Sequence, residues 1–222
     1  MAERRPMIPG SAAPILLPVV AGGGLTIGQA YQGGYYAGTI TYPNGAYPSL
    51  TETTYSLIVA PRASGEASTT KQYKTSGTCD GAASTETSPQ SKWDGYHNTY
   101  DSVLGSSSSH PAANYCQGLS IGGYTDWYLP APEEAQLAYG NLLNLATWQS
   151  GGSEEFTTGT VILNGSSAGP FSLYWTSFGD GCENVGTLNT AAISNTGGGG
   201  GSIFGYIKTD RFFVRAIRRV AV

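Results

Sequence analysis

The chain has 222 residues, a formal net charge of −4 and charged side chains at only 12% of positions, against roughly a quarter in ordinary soluble domains. Its 32 glycines and 15 tyrosines favour turns and aromatic contact surfaces over long helices. So few and scattered basic residues exclude a nucleic-acid footprint, and three cysteines without paired Cys/His spacing argue against zinc and exclude a disulfide-rich scaffold.

In chain order, residues 1–25 come first and differ from the rest. Pro6, Pro9, Pro14 and Pro18 impose extended backbone, and Ile15, Leu16, Leu17, Val19 and Val20 form an apolar strip ahead of the Gly22-Gly23-Gly24 swivel. Arg4 and Arg5 ahead of apolar residues superficially resemble an export signal, but the prolines break its helix and no A-x-A site follows. An extended apolar arm needs cover. It either docks on a partner or on a symmetric copy, or packs back on its own domain. No apolar run reaches the length that spans a bilayer, so no membrane insertion is expected.

The globular part begins at residue 26. Residues 33–42 and 54–63 read as strands joined by a turn-rich stretch. Residues 64–110 form a long polar segment, some of it irregular surface loop, with Trp93 and Tyr96 as its anchors. A first helix is expected over 110–119, capped by Ser109 or His110 with Pro111 in its first turn. A second starts at Pro132, with Glu133 and Glu134 against its N-terminal dipole. Its apolar face runs through Ala135, Ala138, Leu142, Leu145 and Ala146, widened by Tyr139 and Leu143. Residues 171–177, 186–194, 202–207 and 211–220 supply closing strands, the last carrying Arg211, Arg215, Arg218 and Arg219 between apolar residues. Residues 197–202 resemble a hairpin turn or a mobile loop. Strands, two helices, then strands make an α+β domain.

Four phrases stand in order: IGQAYQGGYYAG (27–38), YSLIVAPRASGE (55–66), GGYTDWYLPAPEEAQLAY (122–139), and YWTS (174–177) closing with FFVRAIRRV (212–220). Together they resemble the Lcl/DUF1566 family of C-type-lectin-like domains, and more narrowly the versions found in tail-fibre and other virion proteins of tailed bacteriophages. The resemblance covers 26–222 and leaves 1–25 outside as an arm. It implies a C-type-lectin-like fold with two helices packed on a twisted antiparallel sheet, long irregular loops, and N- and C-terminal strands that pair. Trp127 would wedge the strand–helix corner, Leu129 and Pro130 would hold extended backbone before the helix, and Arg215 would be structural.

The resemblance further implies a virion protein, an appendage or fibre-tip adhesin that binds host surface glycan or protein. The arm would join other virion proteins, and the likeness to phage appendages suggests a homotrimer. The alternatives are a capsid or tail decoration protein without receptor binding, or a bacterial surface adhesin. The variable face would be 176–206 with its neighbour Trp175, offering Phe178, Asp180, Glu183, Asn184, Asn189, Asn195, Phe204 and Tyr206 as aromatic and amide contacts.

Catalytic chemistry finds little foothold. Glu133/Glu134 is explained by helix capping, Glu154/Glu155 lies in a loop, and His97 has no triad-type neighbours. Asp94, Asn98 and Asp101 match no calcium-loop spacing, and the sugar-binding lectins' Glu-Pro-Asn, Gln-Pro-Asp and Trp-Asn-Asp signatures are absent. No enzyme activity, metal or cofactor is expected. If a disulfide forms it pairs Cys79 with Cys182, whereas Cys116, inside a helical run, reads as a buried thiol.

Overall fold

The computed structural model describes residues 24–43, 54–77, 91–102, 104, 108–179, 190–194 and 202–222. It is an α+β protein with antiparallel sheets. The first sheet holds β1 (Ala30–Tyr31), β2 (Gly34–Thr41), β3 (Thr54–Val59) and β11 (Ile217–Ala221), in the order β1-β2-β3-β11. Gln32 at φ 43° and Gly33 at φ 86° form the two-residue turn between β1 and β2, the geometry that matches strand twist. The last strand does join the N-terminal sheet, but it pairs with β3 and not with the first strand. The expected strand over 54–63 ends at Val59, because Pro61 leads into a short helix, α1 (Arg62–Gly65).

Four helical segments, α1 to α4, occur among the described residues where two helices were expected. α2 (Gly95–Tyr100) lies within the segment read as loop; Asp94 caps it by accepting from the His97 amide at 2.9 Å. α3 (Pro111–Gln117) starts after His110, whose side chain forms no cap hydrogen bond, and buries Ala112, Ala113 and Cys116. α4 (Pro132–Leu142) buries Ala135, Ala138, Tyr139 and Leu142 and packs on β2. It stops short of Leu145 and Ala146. Asn144 donates to the Gly140 carbonyl at 3.0 Å, taking the acceptor that a continuing helix would use, and Ala146–Trp148 form a separate 3-10 turn.

The other two sheets carry the second half of the chain. β4 (Lys71–Gln72), β10 (Arg211–Phe212), β5 (Gly159–Leu163) and β6 (Ser166–Phe171) form one, in the order β4-β10-β5-β6. Asn164 at φ 50° and Gly165 at φ 77° turn β5 into β6. β7 (Leu173–Gly179), β8 (Thr190–Ser194) and β9 (Ser202–Tyr206) form the third. The expected strand over 211–220 is broken. Residues 213–216 cross between sheets, with Phe213 bridging Tyr174 and the Val214 and Ala216 carbonyls accepting from Ala67 and Ala60. Phe212 to Ile217 are all buried, so this crossing has no solvent face.

Trp127, Tyr128 and Leu129 lie fully in the core before α4, and Pro130 is buried with them. The Trp127 indole donates to the Tyr124 carbonyl at 3.1 Å, and Tyr128 exchanges backbone hydrogen bonds with Ile217 of β11. No helix of the described residues is long and apolar enough to cross a membrane. Where β2 meets β3, a methyl on Gly34 would lie 2.4 Å from the Val59 carbonyl oxygen and 2.9 Å from Ile58 Cγ2. Gly34→Ala is therefore expected to cost about 1–3 kcal/mol by overpacking, read as a lower urea midpoint at unchanged slope.

Candidate functional site

Of the loop-face residues, Trp175 is a correction. It is 0% exposed, stacks on Phe212 with centroids 4.3 Å apart, and donates its indole N–H to the Lys71 carbonyl at 2.7 Å. Its side chain anchors β7 to the core and offers no contact surface. Phe178 is half-buried with the Lys92 ammonium 5.6 Å from its ring centre. Tyr206 is half-buried at the end of β9, edge-on to Phe212 at 4.8 Å, and Phe204 lies within β9. Asp180, Glu183, Asn184, Asn189 and Asn195 fall outside the described residues, as do the arm residues Ile15, Leu16, Leu17, Val19 and Val20 and the cysteines Cys79 and Cys182. Cys116 is a buried thiol whose ionisation burial pushes up.

The described residues hold two ionic clusters in the interior, and the sequence reading named only Arg215 of their members as structural. The Arg215 guanidinium is fully buried in the crossing between β10 and β11. Its Nε donates to the Ala60 carbonyl at 2.9 Å, its Nη1 to the Glu154 carbonyl at 2.9 Å and its Nη2 to Glu154 Oε2 at 2.5 Å. Glu66 Oε2 lies 3.5 Å from Nη1. The flat cation also lies over Trp148 at 4.4 Å and Phe156 at 5.1 Å, where desolvation strengthens its attraction to the ring faces.

The partners of Arg215 are themselves fixed. Glu154 Oε2 also accepts from the Arg62 amide at 2.7 Å, and Oε1 accepts from the Tyr35 hydroxyl at 3.2 Å. The Tyr174 hydroxyl donates to Glu66 at 2.9 Å and accepts from the Thr157 amide at 2.6 Å. Tyr139 of α4 donates to the Arg215 carbonyl at 2.9 Å. Burial first, and Glu154 second, push the Tyr35 phenol up to about 12, so it stays a neutral donor.

The second cluster centres on Glu134, fully buried in the first turn of α4. Oε1 accepts from the hydroxyls of Tyr42 at 2.5 Å and Tyr128 at 2.8 Å; Oε2 accepts from the amides of Gly95 at 3.0 Å and Ala131 at 2.8 Å. A helix-start role for Glu134 was expected, but its bonds to the two tyrosines and to α2 were not. Asp94 Oδ1 accepts from Arg219 at 2.6 Å, while Asp94 Oδ2 is buried without a partner. Arg219 lies over the rings of Tyr55 and Tyr96 at 4.7 and 4.8 Å. Burial, and then the charge of Asp94, push Glu134 up to about 7, against the pull of its hydrogen bonds and Arg219.

The oxygen donors weighed for calcium are engaged separately. Asp94 is the cap just described, Asn98 bonds Ser91 and Ser177, and Asp101 pairs with His97 at 3.2 Å. Among the described residues no group of three or more His, Cys, Asp and Glu side chains is placed to hold a metal ion. At the sheet edge Asp126 takes Arg218 in two bonds of 2.8 Å, with the guanidinium 3.9 Å from the Tyr124 ring centre.

The class defined by this architecture is an α+β domain with antiparallel sheets bound by buried ion pairs. Comparison of the chain with protein-family models, with curated proteins and with solved structures finds no match.

Arg215→Met strips two buried carboxylates of their counter-ion, and is expected to cost about 3–5 kcal/mol in urea unfolding; a loss under a third of that would show that the cluster is not structural. Glu134 gives a pH signature. Its folded-state value lies above the ordinary 4.5 of an exposed glutamate, so its contribution is fully present below pH 4.5 and is lost as pH rises through about 7. The lost part is roughly 3 kcal/mol. Unfolding free energy should fall between pH 5 and pH 8, and the Glu134 carboxyl ¹³C resonance should titrate near 7; a titration midpoint at or below the ordinary 4.5 contradicts this.

Proposed function

We propose that the chain is a structural protein of a tailed-bacteriophage particle, an appendage or fibre-tip adhesin with a C-type-lectin-like head. The head, 26–222, presents the loop face of 176–206 to a host surface glycan or protein. The arm, 1–25, docks on other virion proteins, and copies assemble as a trimer. No covalent chemistry is assigned to it. The four ordered phrases, which resemble those of phage Lcl/DUF1566 proteins, support this reading.

The observation that carries the mechanism is the mounting of the loop face. β7 is nailed to the core through Trp175 and Tyr174, and its outer end leads at Gly179 into the stretch that returns at Thr190. β8 and β9 are paired in register from Thr190↔Tyr206 to Ser194↔Ser202. Such a mount holds variable side chains at low ordering cost, which raises affinity through preorganisation. Decoration without receptor binding would need the arm and lateral contacts but no ligand at this face.

Deleting residues 2–24 is expected to leave a folded head, with an unchanged thermal transition, that fails to enter particles. Normal incorporation of the truncated chain would defeat the docking arm. Copy number on purified particles then separates the two virion roles: a few copies at a tail or fibre tip support adhesion, and hundreds on the capsid support decoration.

A further inference from the structure

A cleft of about 350 Å³ opens beside the Arg215 cluster, walled by Ile27, Leu145 and the rings of Tyr35 and Trp148, with Ser153 on its rim and Glu154 at its polar end. That volume lies in the range of small-molecule sites. The two rings meet edge to face at 5.4 Å, and the apolar walls would leave most hydroxyls of a polyol unpaired. None of these residues belongs to the arm or the loop face, so the cleft is a separate matter from attachment.

Its polar end has one sign. Glu154 Oε2 is saturated by the Arg62 amide and Arg215 Nη2, whereas among the described residues Oε1 receives only the Tyr35 hydroxyl and keeps an acceptor position. Having given its proton to Glu154, the Tyr35 oxygen also has only lone pairs to offer. In charge, the carboxylates of Glu66, Glu154 and Glu155 outnumber the guanidinium groups of Arg62 and Arg215. A ligand head meeting this end must donate.

We propose that the cleft binds a small apolar molecule bearing one hydrogen-bond donor, a hydroxyl or a primary ammonium. The body lies between Ile27, Leu145 and the two rings, and the head reaches Glu154 Oε1. The adjoining cleft of about 340 Å³, which shares Ser153 and contains Arg62, Glu66 and Thr157, is open to a polar extension of the same ligand.

The test titrates the full ¹⁵N-labelled chain with 2-phenylethanol, 2-phenylethylammonium, ethylbenzene and 3-phenylpropionate, following the Trp148 indole N–H. Saturable shifts are expected for one or both donor probes, with ethylbenzene and the carboxylate about tenfold weaker or worse; the alcohol and the ammonium separate hydrogen bonding from charge. Glu154→Gln also breaks the Arg215 pair, so the decisive variant is Ser153→Trp, which fills the rim outside that network and should abolish the shifts at an unchanged unfolding midpoint. Equal binding of ethylbenzene and 2-phenylethanol, no saturable shift with any probe, or shifts that survive Ser153→Trp would each overturn the proposal.

Discussion

The structure depends on one buried guanidinium. An isolated cation in a protein interior is costly by several kcal/mol, so it persists only where anions and carbonyls converge on it. Arg215 obtains them from distant segments: the carbonyl after β3, the acid after α1, and the carbonyl and carboxylate of Glu154 in the loop before β5. Trp148 and Phe156 cover its faces. A cation with so many fixed contacts constrains register as well as stability, since a shifted crossing strand would leave two acids buried without it.

α4 joins this cluster to the second. At its start Glu134 gathers Tyr42, Tyr128 and the amides of Gly95 and Ala131, so one carboxylate ties the end of β2, the junction before the helix and the start of α2. Two turns on, Tyr139 reaches the carbonyl of Arg215. The four donors around Glu134 favour the charged carboxylate, but burial and the neighbouring charge of Asp94 outweigh them and push the group towards neutrality. The frame around α4 is thus polar at its joints and aromatic between them.

Legibility followed periodicity. α4 was recognisable because helical apolar spacing survives in a sequence whatever packs against it, α3 because Pro111 marks a first helical turn, and β2 because a turn-rich stretch bounds it. Asn164-Gly165 was a readable hairpin signal for β5 and β6, and it was passed over because β6 is almost wholly exposed and lacks apolar alternation. α2 was lost in a polar segment because its cap, Asp94, is held by Arg219, 125 positions away. Trp175 was assigned to a contact surface since an aromatic in a strand looks the same from either side. The paired acids were legible as residues but not as sites: Glu134 and Glu154 look like ordinary helix-start and loop carboxylates until their distant partners are known.

By itself the sequence determined the α+β class, the helix that begins at Pro132 and the strands flanking the first turns, because these follow from local spacing and backbone restriction. Tertiary structure alone decided which acids are buried, which arginines they neutralise, that the last strand lies against β3, and that a cleft with an accepting end opens beside Trp148. Those outcomes depend on groups tens to more than a hundred residues apart meeting where water is excluded, and desolvation has no counterpart in the order of residues along the chain.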